Sequence, residues 1–125
     1  MTSVLDASAL LVLLFKEKGA DLVEDAVDGG VMSTVNWSEV QQKLAQRGVD
    51  MSVVDAIQAL GLGIEPFTIA DAARAAELWV AGRSVGLSLG DRACLALAHR
   101  LDCEVITADS AWTAVDAGVA VRQVR

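Results

Sequence analysis

Leu89-Gly90-Asp91-Arg92-Ala93-Cys94-Leu95-Ala96-Leu97-Ala98-His99-Arg100-Leu101-Asp102-Cys103-Glu104-Val105-Ile106-Thr107-Ala108-Asp109 is the stretch that decides the fold. Residues 91–101 read as a helix and residues 104–107 as a short apolar strand. One aspartate opens the helix and another stands just past the strand. Working outward, the same alternation runs through the chain. Residues 3–5 read as a strand and 7–16 as a helix; 20–27 read as a second helix closed by Gly29-Gly30. Residues 31–35 read as a strand, followed by helices over 37–46 and 51–60 that end near Gly48 and Gly61. A strand over 63–66, an alanine-rich helix over 69–83, a short helix over 110–117 and a last strand over 119–124 complete the pattern. Strands alternating with helices imply an α/β fold: a parallel central sheet flanked by helices on both faces, in a single domain over residues 1–125.

In such a sheet all strands point one way, and the connecting helices run back. Asp6, in Val4-Leu5-Asp6-Ala7-Ser8, and Asp109, in Ile106-Thr107-Ala108-Asp109, directly follow strands. Glu39, in Asn36-Trp37-Ser38-Glu39, and Asp91 begin helices that start at the same edge. All four therefore fall on the carboxyl edge, where open α/β sheets bind ligands. Each acid also has a plain structural reading. An aspartate at a helix start caps it and complements its dipole, and Glu39 can pair with Lys43 one turn on. Four carboxylates brought to one place would repel one another and call for a cation or raised pKa values. With no His or Cys beside them they form a hard-cation site, suited to Mg²⁺ or Mn²⁺, and such a site can activate water against a phosphodiester.

Composition narrows the classes. The chain has 125 residues, 10 basic against 17 acidic, for a net charge of −7. That argues against a broad basic surface for nucleic acid, so any RNA binding needs metal, a local basic rim or a second subunit. Cys94 and Cys103 fit neither a redox pair nor a zinc pair, and they read as reduced thiols. The N-terminus lacks a signal peptide and the apolar run over residues 9–15 is too short to span a bilayer, so a cytoplasmic protein without membrane contact is expected. Hydrophobic residues make up 54% before the 10 glycines are counted, against about 45–50% with glycine included in typical domains. The surplus implies a partner chain.

Around the four acids, the hydroxyls of Ser8, Thr107 and Ser110 stand ready to bind a metal-bound water or a phosphate oxygen, with a helix-start hydrogen bond as the plain alternative for Ser8. Arg92 and Arg83 are the nearest basic candidates for phosphate, although Arg92 can equally face solvent. His99, mid-helix, reads as a surface or packing residue. Trp37, Trp79 and Trp112 occupy apolar helix positions and read as core.

The motifs resemble those of the PIN-domain ribonucleases, and within them the VapC-type toxins of bacterial type II toxin–antitoxin modules. The resemblance is carried by residues 4–10, by Asn36-Trp37-Ser38-Glu39-Val40, by residues 86–98 with Ser88-Leu89-Gly90-Asp91-Arg92-Ala93 at their centre, and by Val105-Ile106-Thr107-Ala108-Asp109. It implies an acidic quartet at Asp6, Glu39, Asp91 and Asp109. Asp6, Asp91 and Asp109 would be metal ligands, while Glu39 would bind a second metal or orient the attacking water. Asp116 is a candidate further acid, with a solvated surface role as the alternative. The resemblance also implies Mg²⁺ (or Mn²⁺) as cofactor, cellular RNA such as transfer RNA as substrate, a homodimer, and a cognate antitoxin. An antitoxin groove is expected among residues 11–15, 40–44 and 53–60, where lysine at Val54 or Ile57 should weaken the complex without unfolding the chain.

Two rival enzymes fit poorly. A phospho-accepting receiver wants a lysine near its end, but lysines occur only at Lys16, Lys18 and Lys43; a haloacid-dehalogenase-type phosphatase wants an acid where Ser8 stands. A non-catalytic metal-binding or partner-binding α/β module stays open.

Overall fold

Neighbouring residues of one short strand pack into opposite cores: Leu5 joins Met32 and Ile106 on one side of the sheet, whereas Val4 joins Val105 on the other. Strands buried on both faces are the signature of a parallel sheet covered by helices. The computed structural model describes residues 2–114 and 116–125. In chain order the elements are β1 (Ser3–Leu5), α1 (Ala7–Leu14), α2 (Ala20–Val27), β2 (Val31–Ser33), α3 (Thr34–Gln46), α4 (Ser52–Ala59) and β3 (Gly63–Glu65). Then come α5 (Ile69–Gly82), a 3₁₀ turn (Arg83–Val85), α6 (Leu89–Leu101), β4 (Glu104–Thr107), a 3₁₀ turn (Ser110–Ala114) and β5 (Val121–Gln123). The strands form one parallel sheet in the order β3-β2-β1-β4-β5. Helices α1 to α4 bury Leu10, Val23, Val40 and Ile57 against one face; α5 and α6 bury Leu78, Cys94 and Leu97 against the other. The α/β class and the two-faced parallel sheet are as the sequence implied.

Several element ends differ from expectation, each for a local reason. The strand expected over 31–35 stops at Ser33, whose hydroxyl accepts from Val35 N at 3.2 Å and caps α3. Helix α3 thus begins at Thr34, three residues early, because the cap outweighs the strand preference of β-branched Thr34 and Val35. Helix α6 begins at Leu89, two residues before Asp91, because Ser88 is its cap. Helix α1 ends at Leu14, and Lys16 takes the left-handed conformation (φ +53°) that closes it. The helix expected over 110–117 is a 3₁₀ turn to Ala114; that expectation runs through Val115, outside the described residues. The last strand is shorter than 119–124, spanning Val121–Gln123.

Trp37 and Trp112 are core residues, but Trp79 is half exposed. Helix α5 faces inward with Asp71, Ala75, Leu78 and Gly82, a stripe of three- and four-residue steps that leaves Trp79 outside. The stripe includes a buried charge. Asp71 forms the capping box of α5 with Thr68 and takes a two-pronged bond from Arg100 of α6, at 2.9 and 3.1 Å. Both cysteines are free thiols, Cys94 buried and Cys103 partly so. Among the described residues, no helix is long and apolar enough to cross a membrane.

The expected antitoxin groove needs correction. Val40, Leu44 and Ile57 are buried in the core, and Val54 packs against it. Of the expected groove, Leu60 is exposed, and so is Met51; among the described residues, the other exposed large apolar side chains are Leu22 on α2, Ile69, Trp79 and Val80 on α5 and Leu89 at the start of α6. Lysine at Ile57, which is 2% exposed, would place a charge inside the core and unfold the chain rather than spare it. Ile57→Ala is expected to lower unfolding free energy in urea by about 2–5 kcal/mol; a change within about 0.5 kcal/mol, normal for surface positions, would contradict this placement of α4.

Candidate active site

The carboxyl ends of β1 and β4 are adjacent, with Leu5 opposite Ile106, so the chain emerging from each meets the other. Asp6 follows β1 and caps α1: Oδ1 accepts from Ala9 N at 2.8 Å. Ser8 Oγ donates to the same carboxylate, 2.8 Å from Oδ1 and 2.9 Å from Oδ2. Thr107 Oγ1, the last residue of β4, donates to Oδ2 at 2.6 Å. The two hydroxyls also stitch the β4 end in place, because Thr107 Oγ1 accepts from Asp109 N and Ser8 Oγ from Ala108 N, both at 3.0 Å. Asp6 is 4% exposed. Burial dominates its electrostatics and pushes its pKa up to about 6, against the pull of the bonds from Thr107, Ala9 and Ser8; repulsion from Asp91 adds to the rise.

Asp91 sits at the third position of α6 in a reciprocal cap: Ser88 N donates to Oδ2 at 2.9 Å, and Asp91 N donates to Ser88 Oγ at 3.1 Å. Its pKa is raised, chiefly by burial and further by Asp109, with the Ser88 bonds and Arg92 opposing. Glu39 lies a turn and a half into α3, and its Oε1 accepts from Asn36 Nδ2 at 2.9 Å. Its pKa is raised as well, first by burial and then by Asp91, with Asn36 and Lys43 opposing. Asp109 is exposed and caps the following turn by accepting from Ala111 N at 2.9 Å.

All four acids line one pocket of about 170 Å³ at the carboxyl edge of the sheet. Asp6, Asp91 and Asp109 do cap helices or turns as the plain reading has it, and they line the pocket at the same time. The two roles use different lone pairs of one carboxylate. Among the described residues, no three acidic, His or Cys side chains are drawn into a closed coordination cluster. The acids instead stand around the pocket and repel one another: Asp91 raises the pKa of both Asp6 and Glu39, and Asp109 that of Asp91. An all-oxygen donor set under mutual repulsion suits a hard divalent cation in its chemistry.

The supporting residues resolve differently from expectation. Thr107 is fully buried and spends its hydroxyl on Asp6, so it holds a carboxylate rather than a phosphate oxygen. Ser8 does the same and lines the pocket. Arg92 reaches neither the pocket nor open solvent, because Nη1 donates to Ala75 O on α5 at 2.8 Å. Arg83 lies over the Trp79 ring, 5.3 Å from its centre. Ser110 lines an adjoining depression with Ser8 and Asp109. Asp116 accepts from Gly118 N and is not among the pocket residues; His99 is exposed.

Sequence reasoning missed two residues and undervalued a third. Asn36 is 1% exposed, and its Nδ2 donates to both Glu39 Oε1 and Gly90 O, each at 2.9 Å. Gly90 leaves room for this, since a Cβ there would stand 2.2 Å from Glu39 Oε1. The one available signal was the three-residue spacing from Asn36 to Glu39 on a helix. Lys43, read only as a partner for Glu39, lines the pocket itself.

A parallel α/β domain with an acidic pocket at the strand ends is the class that fold and site define. The model of the PIN domain matches residues 3–118, and the chain belongs to that family. No curated protein matches it. Among solved structures it is similar to a toxin–antitoxin complex from Klebsiella pneumoniae, with a TM-score of 0.77, 19% identity and 98% of each chain covered. It is also similar to FitAcB from Neisseria gonorrhoeae, with a TM-score of 0.72, 20% identity, and 97% of this chain and 96% of that chain covered. A VapC toxin from Mycobacterium tuberculosis that cleaves the sarcin–ricin loop has a TM-score of 0.71 at 14% identity, over 91% of this chain and 94% of that chain. At these identities the likeness is one of fold.

The raised pKa of Asp6 has a consequence for stability. An acid whose folded pKa lies above its unfolded value, about 6 against 3.8, contributes most below pH 4, and the contribution is lost as pH rises through 6. The loss at pH 7 is on the order of 3 kcal/mol. In metal-free buffer, Asp6→Asn is expected to stabilise the protein in urea unfolding at pH 7, with the gain vanishing near pH 4. An equal effect at both pH values would contradict the assignment.

Proposed function

We propose that this PIN domain is a metal-dependent endoribonuclease, acting as the toxin of a type II toxin–antitoxin pair. The observation that carries the reading is the convergence of Asp6, Glu39, Asp91 and Asp109 on one pocket, in a chain whose fold is that of toxin–antitoxin proteins. Asp6, Asp91 and Asp109 would hold Mg²⁺, or Mn²⁺ in its place. A cation held there would supply an acidified water and would offset charge on the phosphodiester. Glu39, its Oε1 held by Asn36, would bind a second metal or orient the attacking water. Ser8 and Thr107 hold Asp6 at a fixed angle, as second-layer groups do for metal-binding carboxylates. Lys43, at the pocket wall, meets phosphate as a point charge.

A homodimer and a cognate antitoxin belong to the same reading. The apolar side chains left exposed on α5, Ile69, Trp79 and Val80, support burial of a face against another chain. The substrate is taken to be cellular RNA, with transfer RNA as one candidate.

The test is cleavage of total cellular RNA by purified, antitoxin-free protein in Mg²⁺, Mn²⁺ or EDTA. Discrete fragments are expected with metal alone, and Asp91→Asn is expected to cut them by roughly a hundredfold or more. Folded protein that cleaves nothing with either metal would favour the non-catalytic binding module.

A further inference from the structure

The chain carries 17 acids against 10 cations, yet its uncommitted positive charge is unevenly placed. Arg74, Arg100, Arg122 and Arg125 are engaged in ion pairs with Glu77, Asp71, Glu104 and Glu17. Arg92 is turned onto the Ala75 carbonyl. Lys43 and Arg47 are exposed and in no ion pair among the described residues. They lie four residues apart at the end of α3, one turn or about 6 Å along the helix. Lys43 lines the acidic pocket. Arg47 lies over the Phe15 ring, 4.1 Å from its centre, which ties the end of α3 to the end of α1.

Acids stand only at the borders of the flanking sequence, at Glu39, Asp50, Asp6 and Glu17. From Val40 to Val49 and from Ala7 to Lys16 there is no carboxylate, whereas α2 carries Asp21, Glu24 and Asp25. Lys16 closes α1 at φ +53° and lines a separate depression with Glu17, Asp21 and Glu24.

We propose that the Lys43–Arg47 face of α3, with Phe15 beneath Arg47, is a track for the phosphates of single-stranded RNA leading into the acidic pocket. This rests on the nuclease reading and deepens it. The pocket repels a polyanion unless cations meet the backbone nearby, and this face begins at the pocket wall. Charge complementarity selects a phosphate backbone as occupant. The guanidinium of Arg47, over the Phe15 ring at 4.1 Å, adds a surface on which an unpaired base can stack.

The test uses full-length protein carrying Asp91→Asn, so that RNA is bound but not cut, and a labelled single-stranded RNA of mixed sequence. Affinity is measured over a salt series in Mn²⁺. Each lost phosphate contact lowers the slope of log affinity against log salt by about 0.7, so Lys43→Gln with Arg47→Gln is expected to lower it by about 1.4. The exchange Lys43→Arg with Arg47→Lys should restore the slope. Arg122→Gln, in the pair with Glu104 near the opposite edge of the sheet, should leave it unchanged. Melting temperatures of all variants should match the parent.

An unchanged slope in the double variant, an equal fall in Arg122→Gln, or no RNA binding by the parent would overturn the track. Cleavage by protein with Asp91 intact separates the two claims. Cleavage with an unchanged slope removes the track alone. No cleavage, with the slope lowered as expected, removes the nuclease reading and leaves an RNA-binding surface.

Discussion

Thr107 Oγ1 donates to Asp6 Oδ2 at 2.6 Å, and the rest of the site is arranged around that bond. A carboxylate that is 4% exposed has lost most of its hydration and survives only where donors replace water. Here the donors are Thr107 at the end of β4 and Ser8 and the amide of Ala9 in the first turn of α1. The parallel pairing of β1 with β4 brings them together. Were β4 not beside β1, Asp6 would be an ordinary helix cap at the surface. Because it is, a buried acid with a pKa near 6 stands at the base of a pocket ringed by three more. Ionising these acids together at neutral pH costs free energy, and the cation of the proposed nuclease would offset that cost.

Much of this was legible in the sequence because parallel topology converts position into geometry. A residue just after a strand, or at the start of a helix that follows one, falls on the carboxyl edge wherever the exact ends lie. Errors of two or three residues in α3 and α6 therefore left Glu39 and Asp91 on the right edge. What could not be read depends on side-chain direction. Thr107 and Arg92 look alike as polar neighbours of acids, yet one points into the protein at Asp6 and the other lies along α5. Trp79 fits an apolar helix pattern, but the inward stripe is set by Asp71, Ala75 and Leu78, one of them charged. The Asp71–Arg100 pair joins residues distant in sequence, and nothing in either local pattern announces it. Asn36 and Gly90 belong to the same class. Their meeting requires α3 and α6 to touch at one point, a fact of packing rather than of periodicity.

The charge economy of the molecule follows from the same layout. Four carboxylates are spent on the pocket, and much of the remaining positive charge is spent on ion pairs that fasten helices and termini, such as Arg100 on Asp71 and Arg125 on Glu17. Little cationic surface is left, and a notable part of it stands on α3 beside the pocket. Under the proposed function, an acidic protein of this kind would meet a polyanion through a bound cation and a narrow basic margin rather than through a broad positive face. Two phosphate contacts at that margin would make its grip only modestly dependent on ionic strength.

If Asp6, Asp91 and Asp109 hold a divalent cation between them, crystals grown with Mn²⁺ show it most directly. Anomalous scattering measured near the manganese edge should show a peak in the pocket between Asp6 and Asp91, coordinated by carboxylate oxygens at about 2.0–2.3 Å, and the peak should vanish in Asp6→Asn. A pocket without anomalous density at millimolar Mn²⁺, in crystals where the four acids keep their places, would contradict the account.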